Sequence, residues 1–205
     1  MLPAFIPALR SQFFAHRASV TEPWEDTQPA EINLSPTLCS HLLHNGQPLT
    51  CGLAPASVSQ LWDNSARTIA YEHPFRLWHR RSQSVTARTT PGLQLAVSDT
   101  PITAWLAHPA LFTILNDTTE ALFGQAVVYF APCDGIVVAC RPGDQEELAS
   151  WAFTAFMKAR TPVTPFAITY RDGYPVGAVV KDPKVRAAVH RVVRRSRLGA
   201  NTKKG

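Results

Sequence analysis

Residues 125–180 constrain the fold of this chain most, because their apolar pattern changes period twice between clear turn signals. Two apolar runs rich in β-branched and aromatic residues, 125–131 and 136–140, flank Pro132-Cys133-Asp134-Gly135. Such runs separated by a short segment ending in Asp-Gly are typical of a β-hairpin. Neither run alternates apolar with polar residues, so we expect both faces of the hairpin to be covered.

A helix and a second hairpin complete this unit. Asp144 is placed to cap a helix whose apolar residues recur at helical spacing as far as Met157. Strands over 166–170 and 176–180 then flank a turn at Asp172-Gly173. We therefore predict an α+β fold with a β-hairpin–helix–β-hairpin core, a mixed or antiparallel sheet, and helices packed on it. The side chains expected to be buried together are those of Trp151, Phe153, Phe156, Val127, Tyr129, Val137, Ile168 and Val179.

Composition divides the whole chain into three parts. Residues 1–56 are predicted to form an N-terminal helix and a Pro-rich strap, 57–181 an α+β domain, and 182–205 a basic amphipathic helix and tail. Inside the first part, the predicted helix covers residues 2–17, and residues 37–44 are predicted to form one or two helical turns.

Two more elements are expected before the central unit. Pro91-Gly92 is predicted to join strands over 84–90 and 93–97 in a further hairpin. After a short strand or turn that reaches His108, a helix over 109–123 is expected to begin with an N1 proline and to end at Gly124.

Length and composition bound the class of protein. The chain has 205 residues, 45% of them hydrophobic, enough for one substantial core. It contains no uninterrupted apolar run of 18 residues, and its first residues lack a basic leader, so we expect a cytoplasmic protein without a transmembrane helix or signal peptide. The four cysteines form no CxxC pair and are expected to be reduced.

Residues 108–180 resemble the YtpQ-type family of uncharacterised bacterial proteins. The resemblance lies in Ile114-Leu115-Asn116-Asp117-Thr118, Asp134-Gly135-Ile136-Val137-Val138, the aromatic helix around Trp151, Thr161-Pro162-Val163-Thr164-Pro165-Phe166, and Arg171-Asp172-Gly173. It implies an α+β fold and a bacterial origin. Because the family has no assigned activity, the resemblance implies no catalytic, cofactor-binding or metal-binding residue.

The residues themselves offer few candidates for chemistry. His41 and His44 lie near Cys39 and Cys51, but the segment lacks the second closely spaced pair that zinc sites usually have, so no metal site is predicted. Cys133 beside Asp134 is a candidate nucleophile only if the fold brings a histidine to it. No phosphate-binding loop occurs, and we predict no cofactor and no catalytic residue. The polar segment 116–119 is interpreted as either a helix surface or a buried polar cluster.

Positive charge is concentrated at the C-terminal end. Residues 181–205 contain nine Lys or Arg against Asp182 and so carry +8, whereas the whole chain carries +5 and residues 1–180 therefore carry −3. Asp182 and Pro183 predict the start of a helix whose Val residues form one apolar stripe. The candidate polyanion-binding residues are Lys184, Arg186, Arg191, Arg194, Arg195, Arg197, Lys203 and Lys204.

A second basic cluster lies in residues 75–81, where Arg and His alternate with Phe75 and Trp78. This pattern suits either nucleic acid or a solvated edge whose rings point inward. Our leading hypothesis is a non-enzymatic cytoplasmic module that binds another macromolecule, with another protein as the expected partner. The alternatives are binding of a nucleic acid or another anionic surface through the basic helix, and an uncharacterised enzyme with a site near Cys133 and Asp134.

Overall fold

A computed structural model describes residues 5–12, 28–72, 78–81, 92–97 and 100–201. Within these residues the chain forms four α-helices: α1 (Val58–Glu72), α2 (Pro109–Phe123), α3 (Gln145–Lys158) and α4 (Pro183–Asn201). The strands are β1 (Phe5–Ser11), β2 (Glu31–Ser35), β3 (Leu38–His44), β4 (Gln47–Pro48), β5 (Trp78–Arg81), β6 (Leu93–Ala96), β7 (Val128–Cys133), β8 (Ile136–Cys140), β9 (Ala167–Arg171) and β10 (Tyr174–Gly177).

Six strands form the larger sheet, in the order β10-β9-β7-β8-β6-β5. All of its pairings are antiparallel, with Tyr129 opposite both Ala139 of β8 and Ile168 of β9. The two predicted hairpins therefore lie side by side, with β7–β8 at the centre of the sheet and β9–β10 at one edge. The predicted α+β fold is confirmed, and its sheet is antiparallel.

Apolar side chains cover both faces of this sheet, as the unbroken apolar runs predicted. On one face Tyr129, Val137 and Ile168 join the core formed with Phe112 of α2. On the other face Val128, Phe130 and Val138 pack against Leu148 and Trp151 of α3. Trp151 therefore lies on the opposite side of the sheet from Tyr129. The residues that the sequence predicts to be buried together are thus divided between the two faces of the sheet. Val179 is 69% exposed and does not join the core, because β10 ends at Gly177.

The N-terminal sheet is formed by β1, β3 and β2 in that order, with β4 added to β3. The predicted helix over residues 2–17 is wrong where the chain is described, because Phe5–Ser11 is a strand paired along its whole length with β3. The predicted helical turns over 37–44 are also wrong, since Leu38–His44 is the central strand of this sheet. Strand pairing between distant segments overrides the local helical pattern in both places.

The predictions of helices α2 and α3 are confirmed to within a residue or two. Helix α2 starts at Pro109 and ends before Gly124, which takes the left-handed conformation with φ of 70°. Helix α3 follows Asp144, whose side chain makes no capping hydrogen bond although the residue stands at the N-cap. Residues 102–106, where a strand or turn was predicted, form a buried 3₁₀ helix. The predicted strand over 84–90 lies outside the described residues.

The two sheets share one hydrophobic core. Leu9 and Leu42 of the N-terminal sheet belong to the same buried cluster as Trp105, Phe112 and Tyr129. Residues on either side of the predicted boundary at 56 and 57 thus contribute to a common interior. Among the described helices, none is long and apolar enough to cross a membrane.

Candidate functional site

Helix α4 carries the strongest concentration of positive charge and is fixed to the body of the protein. Asp182 caps it, because its Oδ1 accepts a hydrogen bond of 2.8 Å from the backbone N–H of Lys184. Val189, Val192 and Val193 are buried against Phe156 of α3, with Phe153, Met157 and Phe166 packed around them. The predicted apolar stripe is confirmed, and it is used for contact inside the chain.

The cations of α4 lie outside this contact. The side chains of Lys184, Arg186, Arg191, Arg194 and Arg195 are all exposed. Arg195 Nη2 also donates a hydrogen bond of 3.3 Å to the carbonyl oxygen of Met157, at the C-terminal end of α3. A cation in that place is favoured by the unpaired carbonyls of the helix end. The helix therefore presents a basic surface in a defined orientation, whereas the side chain of Arg197 and residues Lys203 and Lys204 lie outside the described part of the chain.

The second basic cluster of the sequence falls partly on β5. This strand, Trp78–Arg81, forms one edge of the six-stranded sheet and pairs with β6. The described part of the structure does not include residues 75–77 or the side chains of 78–81. Binding of nucleic acid by this cluster therefore stays a prediction.

The candidate nucleophile Cys133 is held in the turn between β7 and β8. Burial is the main cause that raises the pKa of its thiol, which keeps the thiol protonated at neutral pH. Its neighbour Asp134 is bound by Arg10 of β1 through two hydrogen bonds, of which the one from Nη2 to Oδ2 measures 2.9 Å. Thr103 Oγ1 also donates to the backbone carbonyl of Asp134 at 2.7 Å. Asp134 therefore ties the N-terminal sheet to the β7–β8 hairpin.

The second cysteine of that hairpin is separate from the first. Cys133 pairs with Ile136, whereas Cys140 pairs with Val128 at the other end of β7, and both cysteines are free thiols. Burial raises the pKa of Cys140 to about 12. Neither thiol is poised for attack at neutral pH, since the thiolate is the reactive form.

Three groups able to bind a metal ion converge on the N-terminal sheet. Glu31 of β2 and Cys39 and His41 of β3 place their ligand atoms within 4.8 Å of one another. His41 Nε2 lies 2.9 Å from Glu31 Oε2, and Cys39 Sγ donates to the carbonyl oxygen of Arg10 at 3.7 Å. Cys39 and His41 are candidate ligands in the sequence, whereas Glu31 is not marked by any sequence pattern. Cys39 and His41 are two residues apart, so in a strand their side chains lie on the same face. This spacing could have predicted the site, but the helix predicted over 37–44 does not place the two side chains together.

Another histidine, His108, organises the junction between α1, α2 and β3. Its Nδ1 accepts a hydrogen bond of 3.2 Å from the backbone N–H of Ala110, so it serves as the N-cap of α2. The Nε2 atom lies 3.2 Å from Asp63 Oδ1, and the ring packs on Trp62 with centroids 4.1 Å apart. Trp62 Nε1 in turn donates to Ser40 Oγ at 3.1 Å. Burial is the dominant cause that lowers the pKa of His108.

The polar segment of α2 divides between two environments. Asn116 and Thr119 are buried, and Asn116 Oδ1 accepts a hydrogen bond of 3.0 Å from the hydroxyl of Tyr129. Asp117 and Thr118 are exposed. The segment is therefore a buried polar cluster at two residues and a helix surface at the other two, because successive helical residues point to different sides.

An apolar groove of 350 Å³ lies between α3, strand β7 and the start of β9. Its walls include Phe130, Phe153 and Phe166, and Glu146 is the titratable group among its lining residues. The groove offers volume to a ligand but few polar groups to orient one.

Comparison of the chain with protein-family models, with curated proteins and with solved structures finds no match. The resemblance of residues 108–180 to the YtpQ-type family therefore stays a hypothesis from the sequence.

Proposed function

We propose that this chain is a non-enzymatic cytoplasmic binding module that holds an acidic protein partner against the exposed side of α4. The observation that carries this proposal is the docking of α4 through Val189, Val192 and Val193 while its cations remain exposed. A basic surface fixed in orientation loses less conformational freedom on binding than a free tail does. It can therefore recognise a partner of complementary charge and shape.

The distribution of charge supports a local, oriented contact. Residues 1–180 carry −3, so the net attraction for an acidic partner comes from residues 181–205. The cations at 184, 191 and 194 are spaced by seven and three residues, which places them on one side of the helix. A row of this kind matches a limited acidic surface on a folded protein.

The contacts of the apolar stripe argue against insertion of α4 into a bilayer. An interfacial helix binds lipid through its apolar side, and in this chain that side is packed on Phe156. The groups that the enzyme hypothesis needs also serve other purposes, since Asp134 pairs with Arg10 and Cys133 is a protonated thiol in a turn. These contacts favour binding over catalysis as the role of the described surface.

The test is fluorescence anisotropy of labelled polyglutamate, used as a surrogate for an acidic protein surface, at low salt. The triple variant Lys184→Glu, Arg191→Glu, Arg194→Glu should bind at least about tenfold more weakly, which corresponds to about 1.4 kcal/mol. Replacing these side chains leaves the buried valines in place. A truncation at residue 180 is a poorer test because it uncovers Phe156.

A matched control separates the position of the charges from their number. The triple variant Arg67→Glu, Arg141→Glu, Arg171→Glu makes the same change in net charge at exposed positions outside α4. It should lose much less affinity than the α4 variant. Equal losses in both variants, or failure of the unmodified protein to bind polyglutamate, would contradict the proposal.

A nucleic-acid partner is the second candidate, favoured by the nine Lys or Arg among residues 181–205. Binding of duplex DNA through about four to six phosphate contacts should give a slope of log K against log salt of roughly −4 to −5. Labelled DNA, RNA and anionic vesicles therefore belong in the same anisotropy series. Tighter binding to DNA or RNA than to polyglutamate, with that slope and little base preference, would replace the acidic protein by a nucleic acid.

A further inference from the structure

We propose that Glu31, Cys39 and His41 form a binding site for a divalent transition-metal ion of the zinc type on the N-terminal sheet. The site is independent of the basic surface of α4. The three residues bring a carboxylate oxygen, a sulfur and an imidazole nitrogen within 4.8 Å of one another. These are the three kinds of side-chain ligand that zinc takes in proteins.

Strand geometry explains why the three groups meet. Cys39 and His41 are two residues apart on β3, so their side chains leave the same face of the sheet. Glu31 of the antiparallel strand β2 stands directly opposite His41. Directly opposed residues of antiparallel strands place their side chains next to each other on one face. A triangle of ligands therefore follows from the register of two strands.

The distances suit a metal after small rotations of side chains. Ligand bonds of about 2.0–2.3 Å in a tetrahedral arrangement separate the ligand atoms by about 3.3–3.7 Å. His41 Nε2 and Glu31 Oε2 are 2.9 Å apart, and the whole group lies within 4.8 Å. Changes of about an ångström or less in these separations would place all three atoms around one ion.

The orientation of His41 is the second observation that points to a ligand. The residue is 8% exposed, and its buried Nε2 atom faces Glu31 Oε2 at 2.9 Å in a geometry that does not form a regular hydrogen bond. A buried polar atom left in this way is costly. Coordination of a cation by the Nε2 lone pair would remove that cost and would screen the nitrogen from the carboxylate.

The neighbouring charge of Arg10 does not oppose a cation strongly. Arg10 stands opposite Cys39 on β1, but its guanidinium group is paired with both carboxylate oxygens of Asp134. The local charge of the ligands would be −2, from the Glu31 carboxylate and the Cys39 thiolate, and a divalent ion would neutralise it. On binding, the Cys39 proton passes to solvent, so affinity should increase as the pH rises.

The ligand set favours zinc, and cobalt as its spectroscopic substitute, over magnesium or calcium. A thiolate and an imidazole are softer ligands than the all-oxygen sets that magnesium and calcium take. Water would fill the fourth position from the side of Glu31, whose side chain is 29% exposed. The ion would link β2 to β3 and thereby stabilise the N-terminal sheet.

The test is titration of the reduced, metal-free full chain with Zn²⁺ in competition with a chromogenic chelator, and separately with Co²⁺. We expect one ion per chain and, for Co²⁺, a thiolate-to-cobalt charge-transfer absorption. Cys39→Ala should abolish that absorption, and Cys39→Ala and His41→Gln should each weaken Zn²⁺ binding by at least about tenfold. Zn²⁺ should raise the thermal midpoint of the unmodified protein and not that of Cys39→Ala.

Matched controls come from the same segment. Cys51→Ala and His44→Gln remove a cysteine and a histidine that lie outside the cluster, and both variants should bind like the unmodified protein. Glu31→Gln is a nearly isosteric change at a partly exposed residue, so this variant should fold even if the variants at buried positions do not. It should keep the thiolate-to-cobalt absorption but bind Zn²⁺ more weakly. Failure of the unmodified protein to bind one Zn²⁺, or equal affinities of Cys39→Ala and Cys51→Ala, would overturn the proposal.

Discussion

The N-terminal sheet and the centre of the six-stranded sheet are held together by different kinds of contact. In the larger sheet, β7 to β10 pair as successive hairpins, and buried apolar side chains cover both faces. In the N-terminal sheet, β1 pairs with a strand more than twenty residues further along, with Phe5 opposite His44. Its central strand buries Cys39, Ser40 and His41 among the leucines.

This difference indicates how each region is stabilised. Hairpins close short loops and bury apolar area, so they need little support from distant segments. Burial of polar groups, in contrast, is costly unless those groups are paired. The N-terminal sheet gains its stability from the shared core and from the tie between Arg10 and Asp134.

Breaking the tie between the two sheets should have the largest effect. Arg10→Met leaves the Asp134 carboxylate without its cation in a partly buried place, where the two side chains are 13% and 25% exposed. We expect a loss of about 2–4 kcal/mol in the free energy of unfolding, somewhat below the cost of breaking a fully buried pair. Urea unfolding, followed by fluorescence and circular dichroism, measures this loss.

The double variant Arg10→Met, Asp134→Asn is the control for that experiment. Because it removes both charges, it should lose clearly less stability than the sum of the two single variants. Strictly additive losses would show that Arg10 and Asp134 do not stabilise each other, and the two sheets would then be joined by apolar contacts alone.

Two turns of similar backbone conformation, one in each sheet, allow a second test of this comparison. Asn45-Gly46 joins β3 to β4 and Asp172-Gly173 joins β9 to β10, and all four residues have positive φ. A methyl group on Gly46 would meet nothing within 4 Å, whereas one on Gly173 would lie 2.9 Å from Pro109 Cβ. Each Gly→Ala change should cost about 1–2 kcal/mol for the left-handed backbone, and Gly173→Ala should cost about 1 kcal/mol more because of crowding.

The measurement is the difference in unfolding free energy between Gly46→Ala and Gly173→Ala. Since the backbone contribution is nearly common to both, the difference isolates the contact of the β9–β10 turn with α2. A Gly46→Ala variant that is as unstable as Gly173→Ala would mean that the two turns are packed alike.

The sequence was sufficient for strands β7 to β10 of the six-stranded sheet and for the helices beside them because their signals are local. Asp-Gly pairs mark two of its turns, and Pro109, Gly124 and Asp144 mark helix ends, so each element is predicted from residues inside or beside it. Which layer each side chain joins was not predictable from these signals. Trp151 and Tyr129 both lie in apolar patterns, and only the order of the strands places them on opposite faces of the sheet.

The candidate sites differ in the same way. The basic stripe of α4 could be predicted because a helix places its charges by a fixed local period. The Glu31–Cys39–His41 cluster depends on the register of two strands, and Leu38–His44 also has a pattern that suits a helix. Short apolar runs are ambiguous between helix and strand, so pairing with β1 and β2 had to be known before Glu31 could be placed beside His41.

Protonation of His108 should produce the smallest effect, and it acts at the junction of the two regions. His108 caps α2, and its ring packs on Trp62, which in turn binds Ser40 of the N-terminal sheet. Burial lowers the pKa of His108 below its ordinary value of 6.5, so the unfolded chain takes up the proton first as the pH falls. The stabilising contribution is therefore complete above pH 6.5 and declines as the pH falls from there through the folded-state pKa.

The measurement is the free energy of unfolding at a series of pH values on both sides of 6.5. His108→Asn keeps a side-chain acceptor for the N-cap but cannot titrate, so its stability should depend less on pH in this window. His44→Asn, at the exposed end of β3, keeps His108 and should retain the slope of the unmodified protein. If His108→Asn also retained that slope, the junction between the sheets would be insensitive to the charge of His108, and its contacts with Trp62 and Ala110 would be those of packing and capping alone.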